Sequence, residues 1–448
     1  MSDKRVVILG GGPAGAAVAL GLRRFGYPVC VVASSRPFDA VEGVSDRVVE
    51  GMKHAGFERA LSALAPPSPR QVTWNGQTSA ANTERLVARQ AFDQGLVEDM
   101  RAQGIEILEG RVVSWQAGAS GHRVELILEN GEKCVLMADF VVEARGRAAP
   151  ASGLHRVKGA ETLSLLQYWQ GPTGDACSAV ENFADGWAWM AKRADGRRYL
   201  QLTLDVGSTD LPPKQALSGW CQKRFEGLAQ AQPYIRDARP VGEVQGRIST
   251  PILCERSAGD NWLRVGDAAM AVDPLSGNGI FQALSSALQA PAVINTLLRH
   301  PERRALARQF HEARIDGLFY RFARIGRDFY AQDPLWPDQP FWASRRHWPD
   351  DQPLHAQVVP DQVSTGLRPV VENGLIIEAE VVITPDQPLG VWHLNGLQLA
   401  PLLDAVRAVP GRRAAEVLAE QVGPEHAVAL ERWFEQQNWI PTRGQTQS

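Results

Sequence analysis

The hydrophobic pattern is densest at the amino terminus. Val6-Val7-Ile8-Leu9 is a continuous apolar, largely β-branched run, which predicts a buried parallel strand. Gly10-Gly11-Gly12-Pro13-Ala14-Gly15 interrupts it, a small-residue helix is expected over Ala16 to Phe25, and Pro28 to Val32 reads as a second strand. A related pattern returns far along the chain. Asn261 to Val265 reads as a short strand entering a Gly266-Asp267 turn, followed by Asp273-Pro274-Leu275-Ser276-Gly277-Asn278-Gly279 and a long helix from Ile280. Residues 301–330 are helical, with Phe310, Phe319, Phe322 and Phe329 among many arginines, which suits core packing beneath a basic solvated face. A Pro- and Trp-rich connector, 333–353, follows; its Trp336, Trp342 and Trp348 are expected to be exposed and to cover an active-site mouth. Beyond it, Gly374 to Ile383 and Leu389 to Leu394 read as a β-hairpin. Three helices come next, over Leu397–Val406, Arg412–Gln421 and Glu425–Gln437.

Composition narrows the class. The 448 residues are too many for one small core, so two or three subdomains are expected. Lys plus Arg is 47 against 50 acidic residues, a balance that argues against nucleic acid or an anionic membrane as main partner. The five cysteines are scattered and form no CxxC pair; no disulfide framework and no metal site is read, and a reducing cytoplasm fits. Lys4-Arg5 before the apolar run Val6–Leu22 imitates a secretion signal, but the glycines and Pro13 inside it would break the short helix such a signal needs. No other stretch approaches the ~20 apolar residues of a membrane span.

The glycines at 10, 12 and 15 form GxGxxG between strand and helix. The first permits a tight turn, the second lets backbone approach a pyrophosphate, and the third lets helix pack on strand. The helix amino terminus, with its bare N–H groups and dipole, favours the phosphate charge. Such loops usually carry an acidic residue about 20 positions on for the adenosine ribose. Here the second strand ends at Ala33-Ser34-Ser35, so Ser34 is the candidate ribose contact.

Together the two loops resemble the FAD-dependent monooxygenases related to para-hydroxybenzoate hydroxylase and the flavin-dependent halogenases, over roughly residues 1–330. Arg89-Gln90-Ala91-Phe92-Asp93 matches a cofactor-binding helix start, Ala138 to Gly146 the strand returning to the FAD fold, and Asp185-Gly186 the Asp-Gly motif. The resemblance implies an α/β fold: a Rossmann-like FAD-binding domain of glutathione-reductase type, an inserted substrate-binding β-sheet, and a small winged-helix-like carboxy-terminal domain. The expected boundaries are 1–154 with 240–330, 155–239, a connector 331–354, 355–440, and a flexible tail 441–448. The implied cofactor-binding residues are Gly10, Gly12, Pro13, Ala14, Gly15, Ser34, Arg47, Arg89, Gln90, Gly266, Asp267, Pro274, Gly277, Asn278 and Gly279. Asp267 would hold ribityl or pyrophosphate oxygens, and the amides around Gly277 to Gly279 would face the flavin pyrimidine. Pro274 and Ser276, beside the flavin, are the candidate catalytic positions. Electrons would come from NAD(P)H or a separate flavin reductase, since no second GxGxxG fold is present.

In these families reduced flavin and oxygen give a C4a-hydroperoxide, which is used either to hydroxylate or to halogenate. Trp187-Ala188-Trp189 reproduces the two tryptophans of the halogenase Trp-x-Trp-x-Ile-Pro segment, but Ala191 and Lys192 replace its Ile and Pro. Ser276 stands where tryptophan halogenases have Glu. Lys53 is the only lysine between Lys4 and Lys133, and no counterpart of the halogenase lysine is found. Hydroxyl transfer to an electron-rich ring is therefore expected; same-face packing of Trp187 and Trp189 is the plainer role of that pair. The carboxy-terminal module is similar to those that bind leader peptides, and its few clustered basic residues argue against DNA. Taken whole, the chain resembles the flavoprotein monooxygenases of cysteine tryptophylquinone biogenesis. That implies hydroxylation of a tryptophan inside a precursor polypeptide, an amine dehydrogenase subunit-like partner. A small-molecule indole or phenol hydroxylase, a halogenase, and a non-catalytic flavoprotein scaffold stay open at this point.

Overall fold

A computed structural model describes residues 4–36, 38–118, 121–277 and 279–441, apart from the side chains of Ala81 and Ser276. It divides into two compact units. One takes the chain to residue 294 together with 315–352; the other takes 295–314 and the residues from 353 on.

The first unit is built on two large sheets. In the seven-stranded sheet, Val6–Leu9 lies between Val29–Ala33 and Phe140–Glu143, with Trp262–Arg264 outside the latter, all parallel. Each residue of Val6–Leu9, Val29–Ala33 and Phe140–Glu143 is buried; the first two read as unbroken apolar runs, and the third ends in Glu143, which pairs with Arg145. The chain leaves Val6–Leu9 for a neighbour on one side and later fills the other side. The glycine loop therefore sits at a topological switch point, where open α/β sheets bind ligands.

The eight-stranded sheet runs Arg239–Ile248, Thr162–Gln170, Arg197–Asp205, Gly186–Lys192, Cys177–Phe183, Leu64–Trp74, Gln77–Ala88, Val41–Val44. Its last three strands come from 41–88, ahead of the insertion 155–239 that the sequence assigns to this sheet. Strand alternation splits its side chains between two faces. One face buries Leu165, Ala188, Met190, Leu200, Leu202 and Leu204 against Cys221 and Phe225 of helix Lys214–Glu226. The other presents Trp187 and Trp189, which pack with Val72, Trp74, Val180, Tyr330, Phe341 and Trp342.

The second unit pairs Ser364–Glu372 with Leu375–Ile383 in an antiparallel hairpin turned at Asn373-Gly374. This corrects the expected hairpin: Leu389–Leu394 contributes only a bridge from Val391 to Val382 and the short strand His393–Leu394. Helices Leu399–Ala408, Ala414–Val422 and Pro424–Gln436 close over a core that includes Leu399, Leu403, Leu418, Leu430 and Phe434. Among the described residues no helix is long and apolar enough to cross a membrane.

Candidate cofactor cradle and substrate face

Helix Pro13–Arg24 starts from Gly12, with Pro13 in its first turn, where a missing N–H costs nothing. The three glycines differ in what surrounds them. Gly10 has φ +116°, and a Cβ there would lie 2.5 Å from the Ala144 carbonyl oxygen. At Gly15 it would lie 1.9 Å from the Gly10 oxygen. At Gly12 it would meet no protein atom within 4 Å. Two glycines thus let backbone close on backbone, and the third leaves space in front of a helix amino terminus whose first amides have no carbonyl to bond within the helix.

The second loop is seated against the first. Gly266 has φ +58°, its amide donates to Ser286 Oγ at 2.8 Å, and a Cβ on it would come within 2.9 Å of Ala14 Cβ. Asp267 follows, 3.5 Å from Arg147 Nε. It lies deep in the fold, yet 32% of its side-chain surface is accessible, the signature of a group on the floor of a recess. Burial raises the Asp267 pKa, and the nearby Arg147 opposes the rise. Pro274–Ser276 forms a 3-10 turn, and Gly277 ends it in the left-handed region at φ +60°. Gly277 and Gly279 again leave open space where a side chain would be. The expected long helix from Ile280 is two shorter ones, Gly279–Ala287 and Ala290–Arg299.

Ser34 is exposed just beyond Val29–Ala33, and Gln90 is exposed in the first turn of Arg89–Ala102. Arg47 stacks on Phe281, 4.5 Å from the ring centroid. Arg89 is buried and already doubly paired, with Glu42 at 2.5 Å and Asp93 at 2.7 Å. Burial alone would lower its pKa; the two carboxylates outweigh that and raise it. Asn278 and the Ser276 side chain lie outside the described residues.

A network absent from the sequence reading joins the flavin-loop turn to the sheet. Asp273 Oδ1 accepts from the Leu275 amide at 2.9 Å and from Tyr330 Oη at 3.0 Å, and Trp187 Nε1 donates to Tyr330 Oη at 3.3 Å. Asp273 and Tyr330 are both buried, which raises each pKa above its ordinary value. Leu275 packs into the same aromatic cluster as Trp187 and Trp189, so that face of the sheet lies against the turn Pro274–Gly277. The connector tryptophans are not the exposed cover expected. Trp342 is fully buried, donates to the carbonyls of Phe183 and Ala184, and stands edge-on to Trp74. Trp336 tilts against Trp342, and Trp348 packs on Phe319. The three tryptophans between 336 and 348 are here a packing signal rather than a surface one.

Comparison with known proteins gives the arrangement its chemistry. The FAD binding domain family matches residues 3–196. A solved structure of the "peptidyl tryptophan dihydroxylase QhpG essential for tryptophylquinone cofactor biogenesis" is 51% identical, covers 98% of this chain and 100% of its own, and superposes with a TM-score of 0.86. The chain belongs to the QhpG family of FAD-dependent monooxygenases. A tryptophan 2-halogenase of Chondromyces crocatus is 25% identical over 382 residues, 77% of this chain and 71% of that protein. The flavin-dependent halogenase CmlS, 18% identical with a TM-score of 0.78 over 98% of this chain and 96% of its own, shares the fold. Membership makes the protein a flavoprotein oxidoreductase.

Proposed function

We propose that the protein hydroxylates a tryptophan side chain of a precursor polypeptide on the way to a tryptophylquinone. The identity with QhpG along the whole chain carries this reading. Bound FAD would supply oxygen activation; the protein supplies position, charge and dryness. The first-turn amides of Pro13–Arg24, with Gly10, Gly12, Pro13, Ala14 and Gly15 shaping the approach, would hold the pyrophosphate. Asp267 would accept from ribityl hydroxyls, with Gly266 fixing its loop. Ser34 would lie by the adenosine ribose, and Arg47, Arg89 and Gln90 would line the same recess, Arg89 through its grip on Glu42 and Asp93. The turn Pro274–Ser276 and the amides of Gly277, Asn278 and Gly279 would face the reacting ring of the cofactor. Asp273 and Tyr330 hold that turn against the aromatic sheet face, where an indole would stack. NAD(P)H or a separate flavin reductase would supply electrons, and the setting would be cytoplasmic.

The precursor is the partner, and the module 355–440 is its proposed docking site. Leu399 belongs to the module core, whereas Leu367 is 60% exposed on the hairpin. Leu367→Asp should raise the apparent KM for the precursor about tenfold and leave kcat and flavin content unchanged, because remote contacts bind and position without activating oxygen. The reaction itself is tested with FAD-loaded protein, a reductase, oxygen and precursor, with excess bromide present. One tryptophan-containing peptide should gain one or two oxygen atoms and no halogen, read by mass spectrometry. Bromine on the indole, or oxygen consumption with no oxygen in the peptide, would overturn the assignment.

A further inference from the structure

The sheet face beside the Leu275 turn holds a buried carboxylate that the cofactor cradle does not use. Glu84, on strand Gln77–Ala88, has a side chain only 6% exposed. Gly43 makes its room: a Cβ at that position would lie 2.2 Å from Glu84 Oε2. Its partners stand off. Trp189 Nε1 donates to Oε1 at 3.4 Å, and Arg70 Nη1 lies 3.8 Å from Oε2, beyond hydrogen-bond reach. An ionised carboxylate offers about four acceptor sites, so most of its capacity is unspent in a place where unspent polarity is costly.

Two more polar atoms on this side are buried and unpartnered: Arg70 Nε, and Ser178 Oγ on a side chain 1% exposed; Trp74 Nε1, likewise unpartnered, lies farther along the strand that carries Arg70. Register puts them on one face. Arg70, Val72 and Trp74 alternate along their strand, and Ser178 lies opposite Arg70 in the neighbouring one. Val72, Trp74 and Trp189 share the aromatic cluster that receives Leu275. A face of flat aromatic walls, one under-used acceptor and a balancing guanidinium matches a flat apolar ring that carries a single N–H. Trp189 already shows that an indole N–H can address this carboxylate.

We propose that Glu84, held by Arg70, is the residue that recognises the substrate indole by accepting its N–H, and so sets which ring edge is presented to the flavin turn. This rests on the tryptophan reading above and names the group that selects it. A site built around a buried acceptor discriminates strongly against an analogue that lacks the donor.

The test is binding to the full-length, FAD-loaded protein of indole and of 1-methylindole, read by calorimetry and by the flavin absorbance shift. Indole should bind about tenfold more tightly than 1-methylindole, the worth of a buried hydrogen bond to a charged group. Glu84→Ala should bring the two within about twofold, and the isosteric Glu84→Gln, whose amide oxygen still accepts, should fall between. Flavin content checks that each variant is folded, and the wild-type ratio stands even if neither variant folds. Equal affinities in the wild type, no binding of either probe, or an unchanged ratio in folded Glu84→Ala or Glu84→Gln would overturn the proposal. Discrimination that follows Glu84 while the wild type puts no oxygen into the precursor would keep this site and remove the proposed reaction.

Discussion

The cofactor cradle and the substrate face are built by different means. In the cradle the decisive contacts are between backbones: Gly15 against the Gly10 carbonyl and Gly10 against the Ala144 carbonyl. Gly10 lies five residues before Gly15, and Ala144 directly follows the strand next to Val6–Leu9 in the parallel part of the sheet. On the substrate face the decisive contacts are between side chains from distant segments, such as Trp187 with Tyr330, Tyr330 with Asp273, and Trp189 with Glu84. A backbone-built site tolerates almost no substitution at its close approaches and keeps its motif through divergence. A side-chain-built site can be rewired one residue at a time. CmlS, 18% identical, still superposes with a TM-score of 0.78 although it halogenates. That similarity is one of fold, carried by the backbone.

The sharpest way to break this contrast is at Gly12 and Gly15. Gly12→Asp places a side chain and a negative charge in the open space before the helix, where protein offers no obstacle. FAD content should drop from near stoichiometric to below a tenth, while the apoprotein melts within a degree or two of wild type. Gly15→Ala drives a methyl group into the Gly10 carbonyl and should cost the fold itself about 3 kcal/mol or more. Absorbance of released flavin and thermal melts of the apoproteins separate the two. If Gly12→Asp retains FAD, the phosphate loop is misplaced.

On the substrate side the effect should be smaller and of another kind. Tyr330→Phe keeps the ring but strips Asp273 of a donor and Trp187 of an acceptor, a loss of roughly 1–3 kcal/mol for buried groups. Asp273 still caps the Leu275 amide, so the turn should form but hold less firmly. A kcat lowered about tenfold with flavin content unchanged is expected, because that energy then falls on positioning. An unaltered kcat would make Tyr330 packing alone.

The same contrast explains what the chain disclosed before its structure was known. The glycine loops and their buried strands were readable because local spacing alone specifies them. The eight-stranded sheet was under-read in 64–88, where Pro66, Pro67 and Pro69 weigh against a strand. Those prolines fall outside Arg70–Thr73, the segment of Leu64–Trp74 that pairs with Cys177–Phe183, so they cost that ladder nothing. Pro369 hid Ser364–Glu372 in the same way, which shifted the hairpin assignment by one strand. The available signal was the Asn-Gly pair. Asn75-Gly76, Asn373-Gly374 and Asn395-Gly396 all sit at positive φ and each turns a hairpin. Tyr330, Asp273 and Glu84 offered no such signal, since nothing local relates residue 84 to 189 or 187 to 330.

The finest test returns to the cradle, at Asp267, where a side chain does enter the backbone-built site. Its carboxylate is deep enough for burial to raise its pKa even with Arg147 beside it. A folded-state pKa above the unfolded one means that ionising Asp267 opposes folding. The group's favourable contribution is full below the unfolded pKa and is lost as pH rises through the folded one. Asp267→Asn removes that charge without changing shape, so the flavin-free variant should melt slightly higher than wild type at pH 7. The gap should close as pH falls below the usual carboxylate range, where both side chains are neutral. The accessible third of the side chain keeps the effect small, a few degrees at most, since solvent screens what reaches it. With FAD bound the order should invert: the ribityl hydroxyls would lose a charged acceptor, and the variant should bind flavin more weakly. Melting curves of apo and FAD-loaded protein across pH measure both limbs. A gap of the same sign and size in the two forms would mean that Asp267 serves the fold and not the cofactor.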